Sequence, residues 1–258
     1  MFVRDTGGPG DVVLLLHGWM FASDLNWALQ FRALSQAGYR VVAMDLRGHG
    51  RGLRTPEPFR LADCADDAAG LLTELDAGPA YVVGYSMGGP VTQLLAQRHP
   101  EAVAGFVLCA TALDWQDLRQ KLFWRTMAVL RLVLGLFPLG FWRAMMRAGG
   151  ASRNEAAWVV SELARGSARD LAEAGRDLGR FNSAPWVGGL TQPRAVVVMR
   201  RDRLVPPRKQ RALAAALHTT PLVVDADHDA CSKSAEVFNP ALLAALSTVR
   251  DGQRQATG

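Results

Sequence analysis

The run Gly-Tyr-Ser-Met-Gly at positions 84–88 places a serine between two glycines. It follows an apolar segment that predicts a β-strand and precedes a segment that predicts a helix. At a strand-to-helix turn of this G-x-S-x-G type, the serine backbone is strained and its hydroxyl projects above the sheet. The string alone often arises by chance, but its position between a strand and a helix favours chemistry. We therefore predict that Ser86 is a nucleophile.

A serine hydroxyl needs a general base within hydrogen-bond reach at neutral pH, and histidine is the usual one. The chain contains five histidines. His17 and His49 lie in glycine-containing turns before the nucleophile, and His99 and His218 end predicted helices. His228 remains, in a loop just after the last predicted strand, from which a side chain can reach across the carboxyl edge of the sheet. His228 is therefore the predicted base.

The imidazole of a catalytic histidine is oriented by a carboxylate, which also stabilises the imidazolium ion. Asp202 directly follows a predicted strand at the same sheet edge as the serine, which makes it the predicted acid. Asp114 also follows a strand at that edge and remains the alternative. Asp227 and Asp229 adjoin His228 in sequence, but neighbouring side chains usually diverge. We expect both of these carboxylates to be solvated.

A tetrahedral intermediate needs N–H donors aimed at its oxyanion, each worth about 3 kcal/mol of transition-state stabilisation. The backbone N–H of Met87, one residue past the serine, is the first predicted donor of this oxyanion hole. The backbone N–H of Trp19, in the loop after an early strand, is the second. We expect His17 to support the Trp19 turn. The residues expected to contact substrate are Trp19, Tyr85, Phe123 and Leu204.

Short apolar runs alternate with longer alanine- and leucine-rich stretches along most of the chain. This alternation predicts an α/β fold with a mostly parallel central sheet and flanking helices. The predicted strands are 12–16, 40–44, 81–84, 105–109, 194–199 and 222–224. The predicted helices between them are 24–37, 61–75, 90–98, 207–217 and 240–249.

One segment, 114–185, breaks this alternation. It contains no convincing strand and carries Trp, Phe, Met, Leu and Arg at helical spacing, which predicts a helical insertion. The α/β core would then comprise residues 1–113 and 186–250, followed by a polar tail, 251–258, that we expect to be disordered. The apolar content of 122–146 exceeds what a helix pair needs for its own packing. It favours a hydrophobic ester or acyl substrate.

The chain has a net charge of +5, and its lysines are confined to positions 121, 209 and 233. No basic-aromatic motif or nucleic-acid module accompanies the arginines, so we expect no nucleic-acid partner. Arg125, Arg131, Arg143 and Arg147 could meet an anionic headgroup in peripheral membrane contact through the insertion, or simply solvate its outer face. Solvation is the simpler interpretation.

The cysteines, Cys64, Cys109 and Cys231, are odd in number and widely spaced, so no disulfide framework or metal site is predicted. Reduced thiols and the lack of a signal-peptide pattern indicate a cytoplasmic protein. The run 45–50, with sequence DLRGHG, predicts a structural turn in which Asp45 and Arg47 bond locally.

Together these motifs resemble the α/β-hydrolase fold superfamily, in its large group of esterases, lipases and peroxidase-like enzymes. The resemblance implies the chain order serine, acid, histidine and a helical lid at the position of 114–185. Two features depart from that family. Its members often open with a pair of strands, whereas residues 1–5 leave room for about one. Asp227 replaces a common glycine before the histidine, which is expected to raise the basicity of His228 or alter its loop. The matching residues are HGW at 17–19, DLRGHG at 45–50, GYSMGG at 84–89, Asp202 with LVP at 204–206, and His228.

The expected function is hydrolysis of a hydrophobic carboxylic ester through an acyl-enzyme, with no cofactor and no metal. A thioesterase or acyltransferase would use the same site, and the sequence does not separate them. The resemblance also allows a cofactor-free peroxidase-like enzyme or a carbon–carbon bond hydrolase. A non-enzymatic receptor that retains the pocket is a third class, which the intact serine, acid and histidine disfavour.

Overall fold

Seven strands form the centre of the molecule in the computed structural model, which describes residues 1–148 and 153–257. They are Val3–Asp5 (β1), Val12–Leu16 (β2), Arg40–Met44 (β3), Ala80–Tyr85 (β4), Val103–Cys109 (β5), Arg194–Met199 (β6) and Leu222–Val224 (β7). Across the sheet the order is β1-β3-β2-β4-β5-β6-β7. Strand β1 pairs antiparallel with β3, and the other pairs are parallel. The predicted α/β class is confirmed.

Helices connect the parallel strands, as crossover connections require. They are Ser23–Trp27 (α1), Phe31–Gln36 (α2), Leu61–Glu74 (α3), Gly88–Arg98 (α4), Leu118–Trp124 (α5), Met127–Leu136 (α6), Pro138–Ala148 (α7), Arg153–Leu163 (α8), Ala168–Leu178 (α9), Pro207–Ala216 (α10), Ala230–Lys233 (α11) and Ala235–Thr257 (α12). Helices α5 to α9 follow one another between β5 and β6, at the position of the predicted helical insertion.

The strands are apolar on both faces because helices cover both sides of the sheet. On β2, Leu14 and Leu16 join a buried cluster under α3, α4 and α10. Val13 and Leu15, which alternate with them along the strand, point to the opposite cluster, which packs on α1, α2 and α12. Because β2 to β7 are parallel, their carboxyl ends lie at one edge of this covered sheet.

Several predicted elements differ from the structure only at their ends, and two segments differ in kind. The single helix predicted over 24–37 is two helices, and between them buried Gln30 donates to Cys231 O (3.0 Å) and Asn239 Oδ1 (2.8 Å). The prediction of disorder after residue 250 is wrong through Thr257, because α12 continues to that residue. The Arg250 guanidinium lies over the ring of Tyr39, 5.5 Å from its centroid, which holds this end of the helix against the core.

The inserted helices pack in pairs, α6 on α9 and α7 on α8. Helix α5 begins with a capping box between Asp117 and Gln120, which satisfies its first backbone N–H groups. Among the described residues, no single helix has the length and apolar composition to cross a membrane. Helices α6 and α7 meet that test only as a pair, and they are bent by 110°.

Candidate active site

Ser86 lies in the tight turn between β4 and α4. Its φ of +52° is in the left-handed region, which is disfavoured for serine. Its N–H donates to Cys109 O at the end of β5 (3.0 Å). A Cβ at Gly88 would overlap Leu16 O at the end of β2, so glycine is needed for this close approach. The turn is therefore held between the ends of two neighbouring strands, and Ser86 itself is 9% exposed.

The three side chains predicted as nucleophile, base and acid form one hydrogen-bonded chain. His228 Nε2 lies 3.0 Å from Ser86 Oγ, and His228 Nδ1 lies 2.7 Å from Asp202 Oδ2. A neutral imidazole that donates from Nδ1 to the carboxylate leaves Nε2 free to accept the serine proton. This tautomer is the one that general-base chemistry requires.

The Asp202 carboxylate is fully buried and held by neutral donors. Its Oδ1 accepts the backbone N–H groups of Leu204 (2.8 Å) and Val205 (2.9 Å). Its Oδ2 accepts from the side-chain amide of Gln210 on α10 (3.0 Å) as well as from His228. Sequence reasoning missed Gln210, because a glutamine on a helix carries no motif.

The backbone around His228 is fixed by the residue before the serine. The Tyr85 hydroxyl donates to His228 O (2.8 Å), and the Tyr85 ring is only 3% exposed. Tyr85, expected to contact substrate, is therefore placed beneath the histidine loop rather than at an open surface. The flanking carboxylates turn away from the imidazole, since Asp227 accepts from Asp229 N (3.0 Å) and Asp229 pairs with Lys233 (2.7 Å).

The loop after β2 lies against the serine turn. A Cβ built at Gly18 would be 3.3 Å from Ser86 Cβ, and Gly18 N donates to Asn26 Oδ1 (2.8 Å). Within the described parts of the chain, the backbone N–H groups of Trp19 and Met87 donate to no protein acceptor. The two amides that were predicted as oxyanion donors are thus unpaired in two loops that flank Ser86.

Two buried histidines lie near this loop, and the first, His17, supports it as expected. His17 Nδ1 donates to Gly18 O (2.8 Å), and its Nε2 accepts from Leu46 N (2.9 Å). Burial lowers the pKa of His17, and it lowers the pKa of His49 to about 3. Burial thus disfavours the protonated form of both rings and makes them poor proton acceptors, in agreement with the elimination that left His228.

Cys231, in α11 just after His228, binds Asn26 of α1. Its thiol donates to Asn26 O (2.8 Å), while Asn26 Nδ2 donates back to the sulfur (3.1 Å). Burial raises the pKa of this thiol well above its usual value, so it is not a reactive thiolate. The two hydrogen bonds with Cys231 position Asn26, whose side-chain oxygen accepts from Gly18 N.

The other predicted contact residues are Trp19, Phe123 and Leu204, which carry apolar side chains. The Trp19 indole N–H donates to Leu171 O of α9 (2.8 Å), and its ring packs edge-on against Phe123, 5.9 Å between centroids. Phe123 is 47% exposed and Leu204 is 65% exposed. Both side chains can therefore meet a ligand.

Asp114, the alternative acid, is engaged elsewhere. Its Oδ1 accepts from Lys209 Nζ (3.0 Å) and from Gln116 N (2.9 Å).

At the 45–50 turn, Asp45 accepts from Arg51 N (2.8 Å), and it also binds the N–H and hydroxyl of the distant Ser23. The expectation that Arg47 bonds locally is wrong, because its guanidinium pairs with Asp67 of α3. No group of three or more His, Cys, Asp or Glu side chains within residues 1–148 and 153–257 is arranged to hold a metal ion.

The chain belongs to the α/β hydrolase fold family, whose model matches residues 11–234. It is 42% identical over 100 residues to epoxide hydrolase B of Mycobacterium tuberculosis, a match that covers 38% of this chain and 28% of that protein. A Variovorax paradoxus protein assigned as a carbamate hydrolase is 30% identical over 257 residues, with 94% of each chain covered.

A solved thermophilic esterase from Thermogutta terrifontis resembles the whole fold. Its TM-score is 0.81 at 26% identity, and the alignment covers 96% of this chain and 93% of that one. These similarities support a hydrolase activity, and the substrate class for which each protein is named differs from one to another.

Proposed function

We propose that the protein is a serine hydrolase that cleaves a carboxylic ester with a hydrophobic acyl or alcohol part. Ser86 is the nucleophile, His228 the general base and Asp202 the residue that orients the imidazole. The observation that carries the proposal is the hydrogen-bonded chain from Ser86 Oγ through His228 to Asp202 Oδ2.

In the first half-reaction, Ser86 Oγ attacks the ester carbonyl carbon while its proton passes to His228 Nε2. The buried carboxylate of Asp202 stabilises the resulting imidazolium. The negative charge that develops on the carbonyl oxygen is met by the N–H groups of Met87 and Trp19. Collapse of the intermediate breaks the carbon–oxygen bond, and the alcohol leaves with the proton from His228.

The second half-reaction repeats these steps with water. His228 takes a proton from the water as its oxygen attacks the acyl carbon, and it returns that proton to Ser86 Oγ as the acid leaves. Hydrogen peroxide or an alcohol in place of water would give a peracid or a transferred ester. Thioester cleavage differs only in the first leaving group.

A serine nucleophile favours acyl substrates over the epoxides of one relative. Attack of Ser86 on an epoxide carbon would form an ether, which water does not readily cleave, so the enzyme would not turn over. Attack on an ester forms an acyl-serine, whose carbonyl accepts water through the same oxyanion donors. Ester chemistry therefore uses every element of this site.

We also propose that the insertion 114–185 is a lid that selects apolar substrates. Phe123 and the Trp19 ring that it packs against lie next to the loop of the proposed oxyanion donor. Aromatic and aliphatic side chains at the mouth of a site favour ligands with apolar chains. Exposed Leu204, whose N–H binds Asp202, adds an apolar side chain near the proposed acid.

Carbamate hydrolysis is a second candidate, favoured by the relative that matches over 94% of both chains. Its first half-reaction would be the same attack on a carbonyl carbon and would leave a carbamoyl-serine. The amide-like resonance of that intermediate slows attack by water. A carbamate substrate would therefore show a burst followed by slow turnover.

The test is a series of p-nitrophenyl esters from acetate to decanoate, measured beside p-nitrophenyl carbamates. We expect kcat/KM to rise with chain length and Ser86→Ala to lower kcat by about 10⁵-fold or more. Ser183→Ala, which changes a buried serine bonded to Leu113 O, is the matched control. Full activity in Ser86→Ala would exclude the proposed nucleophile. A burst on the carbamates with a higher kcat/KM than for any of the esters would favour the second candidate.

The role of the insertion is tested on the same substrates. Phe123→Ser should lower kcat/KM for decanoate about tenfold and leave acetate nearly unchanged, since one large apolar side chain contributes on the order of 1–3 kcal/mol. Phe137→Ser, at another exposed phenylalanine of the insertion, is the control. Equal losses for both esters would contradict the proposed selection.

A further inference from the structure

The positive charge of the chain is concentrated in helices α5 to α7. Segment 118–148 carries six basic residues and no acidic one, whereas the rest of the chain has 23 basic and 24 acidic residues, out of totals of 29 and 24. The net charge of +5 therefore comes from this one segment. Its basic residues are Arg119, Lys121, Arg125, Arg131, Arg143 and Arg147.

All six of these cations are exposed, and none forms a hydrogen bond or an ion pair with any part of the chain that the structure describes. The nearest long acidic helix, α9, directs its carboxylates elsewhere. Glu173 accepts from Phe59 N (2.8 Å), and Asp177 accepts from Leu61 N (2.8 Å). Thus no side chain that the structure describes neutralises the charge of α5 to α7.

The same segment exposes an unusual amount of apolar surface. Among the described residues, nine of the fifteen exposed large hydrophobic side chains fall within 118–148, including Leu118 and Phe137 at 76% and 67% exposure. Single exposed hydrophobic residues are ordinary, but a contiguous patch marks an interaction surface.

Helix α6 is apolar on two opposite faces. Met127 and Leu134 are buried toward α9, while Val129, Leu132 and Leu136 lie on the outer side at about 61–62% exposure. An open groove of about 420 Å³ runs along this outer side and is lined by apolar residues and Arg131. Apolar surface and the charge of Arg131 therefore share the outer side of α6, and the other five cations lie exposed within the same segment, 118–148.

We propose that α5 to α7 form a docking surface for an anionic lipid bilayer. Helices that lie in a membrane interface place apolar side chains among the acyl chains and arginines at the headgroups. Each arginine near an anionic leaflet strengthens binding by roughly fivefold. The complementary charge of such a bilayer matches the six unpaired cations, which a neutral apolar partner or a second copy of this face does not.

The docking surface adjoins the site. Phe123 belongs to α5 and packs against Trp19, beside the serine turn. An apolar molecule that partitions into a bilayer would thus reach the site along this face. Binding to the bilayer itself does not depend on the proposed chemistry, so the two can fail separately.

The experiment is flotation with vesicles of phosphatidylcholine alone and with vesicles in which about a third of the lipid is phosphatidylglycerol. The full chain and its Ser86→Ala variant should both bind the anionic vesicles at least about tenfold more tightly than the neutral ones. Added salt should weaken this binding, because it screens exposed charges.

Two double variants separate charge from apolar contact. Arg131→Glu with Arg143→Glu should weaken binding to anionic vesicles by about 100-fold or more. The control is Arg32→Glu with Arg211→Glu, which makes the same change of net charge at exposed arginines outside the insertion and should have at most a small effect. Leu132→Ser with Leu136→Ser should weaken binding at least tenfold.

Light scattering without vesicles completes the test. We expect Leu132→Ser with Leu136→Ser to leave the molecular mass unchanged. A dimer of the native chain that this variant dissociates would show that a second copy covers the face and would overturn the proposal. Equal binding to neutral and anionic vesicles, no binding to either, or equal losses in the two arginine double variants would overturn it as well.

Discussion

Two loops at the carboxyl edge of the sheet each carry an aspartate, and the hydrogen-bond partners of the two carboxylates differ. After β6, Asp202 is fully buried and accepts hydrogen bonds from two backbone N–H groups and Gln210, which leaves Oδ2 to meet His228. After β5, Asp114 is partly exposed and is paired with Lys209. Lys209 and Gln210 are consecutive residues of α10, so one helix holds both carboxylates.

The difference shows what makes a carboxylate useful to a histidine. Neutral donors stabilise the charge of Asp202 without cancelling it, so the charge can still stabilise an imidazolium. Lys209 neutralises the charge of Asp114. Because Lys209 also binds Asp117 (3.3 Å), this ion pair anchors the start of the insertion. Position at the sheet edge does not by itself define the proposed acid.

The largest effect is expected from Asp202→Asn. The amide would reverse the preferred tautomer of His228, and kcat for p-nitrophenyl butyrate should fall about 10⁴-fold with little change in KM. Asp114→Asn is the matched control and should retain kcat within about twofold, because it lacks contact with the imidazole. If Asp202→Asn kept nearly full kcat, the proposed difference between the two aspartates would be contradicted.

A smaller effect is expected from Gln210→Met. This variant removes one donor to Asp202 Oδ2 and the acceptor of Met199 N (2.9 Å), both buried. The free energy of unfolding in urea should fall by about 1–3 kcal/mol. The kcat should fall about tenfold at constant KM, since the hydrogen bond acts on a charged carboxylate.

A merely structural role for Gln210 would lower stability and leave kcat per folded molecule unchanged. That outcome would contradict the idea that this glutamine positions Asp202. Gln93, another buried glutamine, hydrogen-bonds Ala112 O instead, so Gln93→Met serves as the control.

The smallest effect on chemistry is expected from Lys209→Met. The cation binds Asp114, Asp117 and Gln120 at the start of the insertion, away from the imidazole. We expect kcat for p-nitrophenyl acetate to stay within about twofold and the unfolding free energy to fall by about 1–2 kcal/mol. A loss of kcat equal to that of Gln210→Met would mean that the two carboxylates are not separated as described.

The serine and histidine could be predicted because motif, spacing and elimination converge on each of them. Ser86 follows a strand whose buried apolar run is legible in sequence, and His228 was the one histidine outside a turn or helix end. The boundaries of β2, β3, β6 and β7 were predicted to the residue, because Gly, Pro and Asp bound their apolar runs.

Tertiary contacts explain what sequence reasoning missed. Gln210 acts through a side chain that reaches across from α10 to the loop after β6, and nothing local marks it. The outer face of α6 is as apolar as its buried face, so periodicity alone does not tell which side meets solvent. The tail after residue 250 is polar, yet it remains helical where Arg250 lies on Tyr39.

The most direct test of the central claim is covalent capture of the nucleophile. A fluorophosphonate probe should add to the native chain once, and mass spectrometry of the digested protein should find the adduct on Ser86. His228→Ala should slow this labelling by several orders of magnitude, because the serine then has no base. An adduct on another residue, or undiminished labelling of Ser86→Ala, would contradict the account.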